Sequence, residues 1–164
     1  MNVSSKAVAV IKRYEQGPKG GFAPFPYICP TGHNTVGWGH VILPTDHFTY
    51  PMDAATADAV LTADLNKVAA QVSALLTVTP TQDQFDALVL LAYNVGVGIH
   101  DGIKGDFADS TLLSYFNAGK NQLAAAEFSK WVYGTVNGVK QVLPGLVARR
   151  RTEATLFLTG NVVF

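Results

Sequence analysis

The chain has 164 residues, enough for one domain with a sizeable core, and its 48% hydrophobic against 15% charged residues exclude intrinsic disorder. Twelve basic residues balance twelve acidic ones, which argues against a strongly basic nucleic-acid binder, and the single cysteine, Cys29, excludes an intrachain disulfide and a multi-cysteine zinc module. No stretch approaches the ~18 apolar residues of a membrane span, so no stable membrane insertion is expected; the short apolar run Ala7–Ile11 precedes Lys12-Arg13, the reverse of the order in a signal peptide, so the chain carries no visible export route of its own.

Val3 to Glu15 reads as a short amphipathic helix, with Val8, Ile11 and Glu15 at helical spacing. Residues 17–51 hold six Gly and six Pro, which disfavours helix and predicts short strands with tight turns. From Asp53 the chain becomes helical. Val60, Leu61, Leu65, Val68, Val72, Leu75 and Leu76 mark one apolar stripe, a helix of roughly six turns. Thr81-x-x-Gln84 is a capping box that opens a helix over Gln82 to Val95, closed by Gly96 and Gly98. A polar loop over 99–109 precedes helices at about 110–118 and 121–132. Val136-Asn137-Gly138-Val139 carries the Asn-Gly signature of a two-residue hairpin, and Pro144 suits the first turn of a last helix running to about Leu158. The pattern predicts an α+β fold, with a small β lobe over about 17–51 and a helical lobe over about 53–160 that includes the first helix. A cleft between two lobes is a common ligand site.

Charge is distributed unevenly. Residues 1–40 hold Lys6, Lys12, Arg13 and Lys19 against Glu15; residues 41–110 hold nine Asp against Lys67 and Lys104; residues 111–164 hold six Lys/Arg against Glu127 and Glu153. Mixed solvated patches account for this. The sharper alternative is a basic surface, built from both chain ends, that meets an anionic polymer.

The most informative stretch is Tyr27 to His40, YICPTGHNTVGWGH, where Gly37 and Gly39 alternate with Val36 and Trp38 and permit close approach of a ligand or a second backbone. Taken with Glu15, this stretch resembles the phage endolysin lysozymes, the muramidases of glycoside hydrolase family 24. The resemblance rests on Glu15 after an apolar helix, then Tyr27, Cys29, Gly32, Thr35, Gly37, Gly39 and His40. It continues through Leu61-Thr62-Ala63-Asp64-Leu65, Thr81 to Leu88, Tyr93-Asn94-Val95-Gly96, Ser110-Thr111-Leu112-Leu113, Trp131 and Leu143-Pro144-Gly145-Leu146-Val147 with Arg149-Arg150. Two departures stand out. The spacer from Glu15 to Cys29 is 13 residues, some five more than is usual in the family, and the 99–109 loop is also extended.

The resemblance implies a single lysozyme-like domain that cleaves the β-1,4 bond between N-acetylmuramic acid and N-acetylglucosamine without a cofactor. Glu15 would then be the general acid. Cys29 stands where other members carry Asp, beside the reacting water, and Thr35 offers a hydroxyl to hold that water. A thiol of reference pKa ~8.5 is a poor general base at neutral pH. Tyr93, Asn94 and Arg149 are implied substrate contacts, with Arg149 or Arg150 facing and orienting Glu15. Asp64 falls inside the apolar stripe, where a carboxylate needs a partner, and the resemblance places His40 against it as a structural pair. A zinc site from Cys29, His33, His40 and His47 matches no compact ligand spacing, and a Cys29–His40 thiol pair is a weaker reading. The implied partners are peptidoglycan strands and, for release of a monomer held in the host cytoplasm, a pore-forming holin. Two rivals remain open: a lytic transglycosylase, kept alive by the missing second carboxylate, and a non-catalytic glycan-binding module.

Overall fold

Helix α1 spans Ser5–Tyr14, shorter at both ends than its apolar periodicity suggests. Ser4 caps it by accepting from the Lys6 N–H, and its own N–H and hydroxyl both donate to the buried Asp86 carboxylate. The structure is a computed structural model and describes residues 1–29, 32–103 and 105–164. Pro30 and Thr31 of the Tyr27–His40 motif, and Lys104 of the 99–109 loop, lie outside the described residues.

The glycine- and proline-rich segment forms a three-stranded antiparallel sheet, β1 (Ala23–Ile28), β2 (Asn34–Gly37) and β3 (His40–Val41), in the order β1-β2-β3. Ala23 pairs with Gly37 and Tyr27 with Thr35, and the ladder is irregular between these points. Pro24 and Pro26 fall there, and neither has an N–H to donate to it.

Helix α2 spans Ala54–Leu75, with Asp53 as N-cap. Its buried line is Ala57, Leu61, Leu65, Ala69 and Val72. Val60, Asp64 and Val68 lie half-buried on one flank of that line. Helix α3 (Gln82–Val95) opens with the expected capping box. Every residue from Phe85 to Ala92 is buried, so α3 is the helix that the rest of the lobe surrounds. Helices α4 (Thr111–Asn117) and α5 (Asn121–Glu127) follow. The expected helix to residue 132 instead tightens into a 3-10 turn at Phe128–Lys130, where the Phe128 ring sits 5.8 Å from Phe157. The hairpin β4 (Tyr133–Val136) and β5 (Val139–Val142) turns at Asn137 and Gly138, both with positive φ. Helix α6 covers Pro144–Thr159.

The main core joins α1, α2, α3, α4, α5 and α6 around residues such as Ile11, Leu65, Leu88, Leu112 and Leu156. A smaller cluster of Val36, Met52 and Ala57 lies under the sheet, and Trp38 packs against both. The architecture is therefore α+β, as the sequence predicts, with the sheet seated on the flank of α2.

Lys6 pairs with Asp83 at 2.6 Å and Lys12 with Asp58 at 2.7 Å, while Arg149 and Arg150 are buried. Two carboxylates of the acidic middle, Asp83 and Asp58, thus each neutralise one basic group of the N-terminal segment.

Candidate active site

A cleft of about 710 Å³ opens between the sheet and the helices. It is lined by Glu15 from the end of α1, Tyr27 and Cys29 from the end of β1, Thr35 from β2, and Tyr93 and Asn94 from the last turn of α3. His40 and Asp64 close its rim. Residues 78 positions apart in sequence, Glu15 and Tyr93, thus share one wall.

Glu15 is the C-cap of α1, its N–H donating to the Ile11 carbonyl at 2.8 Å. The end of the helix is pinned by a hydrogen bond of 2.9 Å between the Tyr14 and Thr152 hydroxyls. The Glu15 side chain remains 25% exposed, open to the cleft, and accepts from Arg149 Nη1 at 2.6 Å. Gly39, with φ +90°, lets the β2–β3 turn approach this carboxylate; a Cβ there would stand 3.3 Å from Glu15 Oε2. Gly37 serves a different purpose: a Cβ there would make only ordinary contact with Met52 and Ala57, and it is the left-handed backbone, φ +64°, that calls for glycine. Of the two glycines singled out by the sequence, Gly39 permits the close approach to the acid and Gly37 the turn of the backbone after β2.

Thr35 is buried, opposite Tyr27 in the ladder, and its hydroxyl donates to the His33 carbonyl at 3.0 Å. With its proton so committed, the oxygen faces the cleft as an acceptor. Burial, with the nearby Cys29 and Glu15, holds the Tyr27 phenol above its ordinary value. The Tyr93 phenol is raised further, by burial first and then by the Glu15 and Asp64 charges. Both phenols thus face the cleft as neutral hydroxyls.

His40 Nδ1 lies 2.7 Å from Asp64 Oδ2, and Nε2 lies 2.9 Å from Asp46 Oδ2. The hydrogen bond to Asp64 leads the causes that raise His40 to about 9, against the opposing effect of burial. Asp46 was not foreseen from sequence. It is placed by a turn in which its carboxylate also accepts from the Leu43 N–H at 2.7 Å. Because both ring nitrogens are occupied, His40 has none to offer a metal or Cys29, and strand β2 separates it from β1.

Sequence left open which arginine meets Glu15; the structure selects Arg149. Arg150 instead donates to the Asn94 side-chain carbonyl and, at 3.1 Å, to the Trp131 carbonyl. Both guanidiniums bond the fully buried Glu153. Burial pushes the Glu153 carboxyl up while the two guanidiniums pull it back. Burial also disfavours the Arg149 charge, but Glu153 and Glu15 outweigh it. Glu153 was missed as a site residue, although its spacing of four from Arg149 and three from Arg150 on a helix is the signal that brings such side chains together.

A carboxylate anchored in the wall of an interlobe cleft that a hydroxyl and a thiol also line is an arrangement suited to glycoside hydrolysis. Comparison with known proteins agrees. The phage lysozyme family model matches residues 18–153. The chain is 37% identical over 160 residues to an endolysin of Acyrthosiphon pisum secondary endosymbiont phage 1, covering 96% of this chain and 98% of that one. It is 39% identical over 161 residues to an endolysin of Bacillus phage B103, covering 98% of this chain but only 56% of that longer protein. Among solved structures, an endolysin from Escherichia coli O157:H7 phage FAHEc1 superposes with TM-score 0.83 at 31% identity, covering 100% of this chain and 98% of that one. The muramidase domain of SpmX from Asticaccaulis excentricus does so with TM-score 0.79 at 32% identity, covering 96% and 98%. The chain belongs to the phage lysozyme family.

Proposed function

We propose that the chain acts as an endolysin, a single-domain lysozyme that hydrolyses the β-1,4 bond between N-acetylmuramic acid and N-acetylglucosamine in peptidoglycan and so lyses the host. The observation that carries this reading is the Glu15 carboxyl, half-open to the cleft and oriented by Arg149. Glu15 gives its proton to the glycosidic oxygen as the bond breaks and an oxocarbenium-like transition state develops. Thr35 and Cys29 hold the water that attacks the anomeric carbon, giving overall inversion; the proton that water releases passes to solvent, and Glu15 regains its own from solvent. Tyr93 and Asn94 contact the sugar chain, and Arg149 adds attraction for anionic muramyl groups. His40 and Asp64 are structural and tie the sheet to α2. No cofactor enters this scheme.

The enzyme is read as a monomer that gathers in the host cytoplasm and reaches the wall through a holin pore. In support, the apolar run of α1 is spent in the core, with Ala7, Val10 and Ile11 fully buried. No helix among the described residues is long and apolar enough to cross a membrane. The names of the relatives do not favour the transglycosylase or the binding module. Mass spectrometry of digested peptidoglycan tests the reading directly. Reducing muramic ends are expected; 1,6-anhydro ends or an absence of products would overturn it.

The thiol at position 29 has its own test. Cys29→Ser should lower turnover more than stability, and Cys29→Asp should retain or raise it by restoring the carboxylate of the commoner pattern. Wild-type turnover in both Cys29→Ser and Cys29→Ala would reduce the residue to packing.

A further inference from the structure

We propose that Glu153 is a positioning residue for the cleft, one buried carboxylate that aims Arg149 at Glu15 and Arg150 at Asn94; this rests on the reading of Glu15 as the acid. Glu153 is 0% exposed, sits outside the cleft lining, and has no role in the chemistry described above. Its Oε1 accepts from Arg149 Nε at 3.0 Å and its Oε2 from Arg150 Nη1. Arg149 is left with Nη1 for Glu15, at 2.6 Å, and Nη2 for the Leu90 carbonyl, at 3.4 Å. Arg150 is left with Nη2 for the Asn94 side chain and Nε for the Trp131 carbonyl.

A guanidinium is a rigid planar fork, so fixing one nitrogen sets the direction of the others. Glu153 fixes one nitrogen in each of two adjacent forks, and each fork then presents another nitrogen to a residue lining the cleft. It also separates two cations that would otherwise repel at close range. Without it, Arg149 is free to turn and grip Glu15 through two parallel hydrogen bonds, the stronger geometry for an arginine and a carboxylate. That grip draws Glu15 away from the leaving oxygen. A strut that only secured α6 would have no such effect on turnover.

The experiment measures kcat, KM and thermal melting on soluble, uncrosslinked peptidoglycan strands for Glu153→Gln, Arg149→Met and the double variant. In the wild-type background, Glu153→Gln should lower kcat roughly 10- to 100-fold, the scale of a small misplacement of a reacting group. In the Arg149→Met background, the same change should lower kcat by much less, because only the arm through Arg150 and Asn94 remains. A folded Glu153→Gln variant with wild-type kcat overturns the proposal, and so does an equal loss in both backgrounds. Should Glu153→Gln fail to fold, Glu153→Asp takes its place. It keeps the charge but is too short to hold both forks, and the same comparison between backgrounds applies. Full activity in Glu15→Gln would instead overturn the underlying reading, whereas an inactive Glu15→Gln beside a normal Glu153→Gln overturns this inference alone.

Discussion

Glu15→Gln should abolish lysis while leaving the fold intact. A positioned general acid contributes roughly 10²–10⁴ in rate, so turnover is expected to fall by about three orders of magnitude, a barrier increase of about 4 kcal/mol. The amide is the same size as the carboxyl and still offers an oxygen to Arg149 Nη1, which accepts no proton itself. Arg149 also keeps its bond to Glu153 at 3.0 Å, so it is not left buried without an anion. The side chain is partly exposed, which limits the cost of losing its charge. Turbidity loss on bacterial walls and a thermal melt separate the two effects. An unchanged rate of clearing would remove Glu15 from its assigned role. A large drop in melting temperature would show instead that the residue holds α1 to α6.

His40→Asn should destabilise the protein by about 2 kcal/mol at pH 5–6, between the ~0–1 of an exposed pair and the ~3–5 of a fully buried one. The His40 side chain is 12% exposed, and those of Asp46 and Asp64 are 21% and 27% exposed. For a chain of this length, that is a fall in melting temperature of roughly 4–8 °C. Asp64→Asn should cost less, because Asp46 still faces the other ring nitrogen. The double variant should lose less than the sum of the two single changes.

The pH dependence has a defined sign. His40 rises from 6.5 to about 9 on folding, so its contribution is complete below pH 6.5 and is lost as pH climbs through about 9. Asp46 is lowered from 3.8, chiefly by His40, so its contribution is present above 3.8 and is lost as pH falls through its lower folded value. Wild type and His40→Asn should therefore differ most between about pH 4 and 6.5 and converge towards pH 9. A gap that stays constant from pH 5 to 10, or strictly additive losses in the cycle, would show that the ion pair does not supply this stability.

The sequence by itself determined the helices, because caps and periodicity are local. The Thr81–Gln84 capping box, the Asn137-Gly138 turn and Pro144 at the head of α6 each act within a few residues, and the structure follows them. Where periodicity alone was the guide, it erred at the edges. Ala57 and Ala69 belong to the buried line of α2, because a small side chain at a close contact leaves no apolar signal to read. In the cleft, Glu15, Cys29, Thr35, His40 and Asp64 were named from motif spacing and family likeness, and the structure brings them to one cavity. Tertiary structure alone decided which arginine meets Glu15, across 134 positions of sequence, and added Asp46 and Glu153 as anchoring carboxylates. These are choices among like groups: three adjacent arginines and nine aspartates offer the same chemistry, and only the packing of α6 against α3 and of the 43–46 turn against β3 fixes which one is within hydrogen-bond reach.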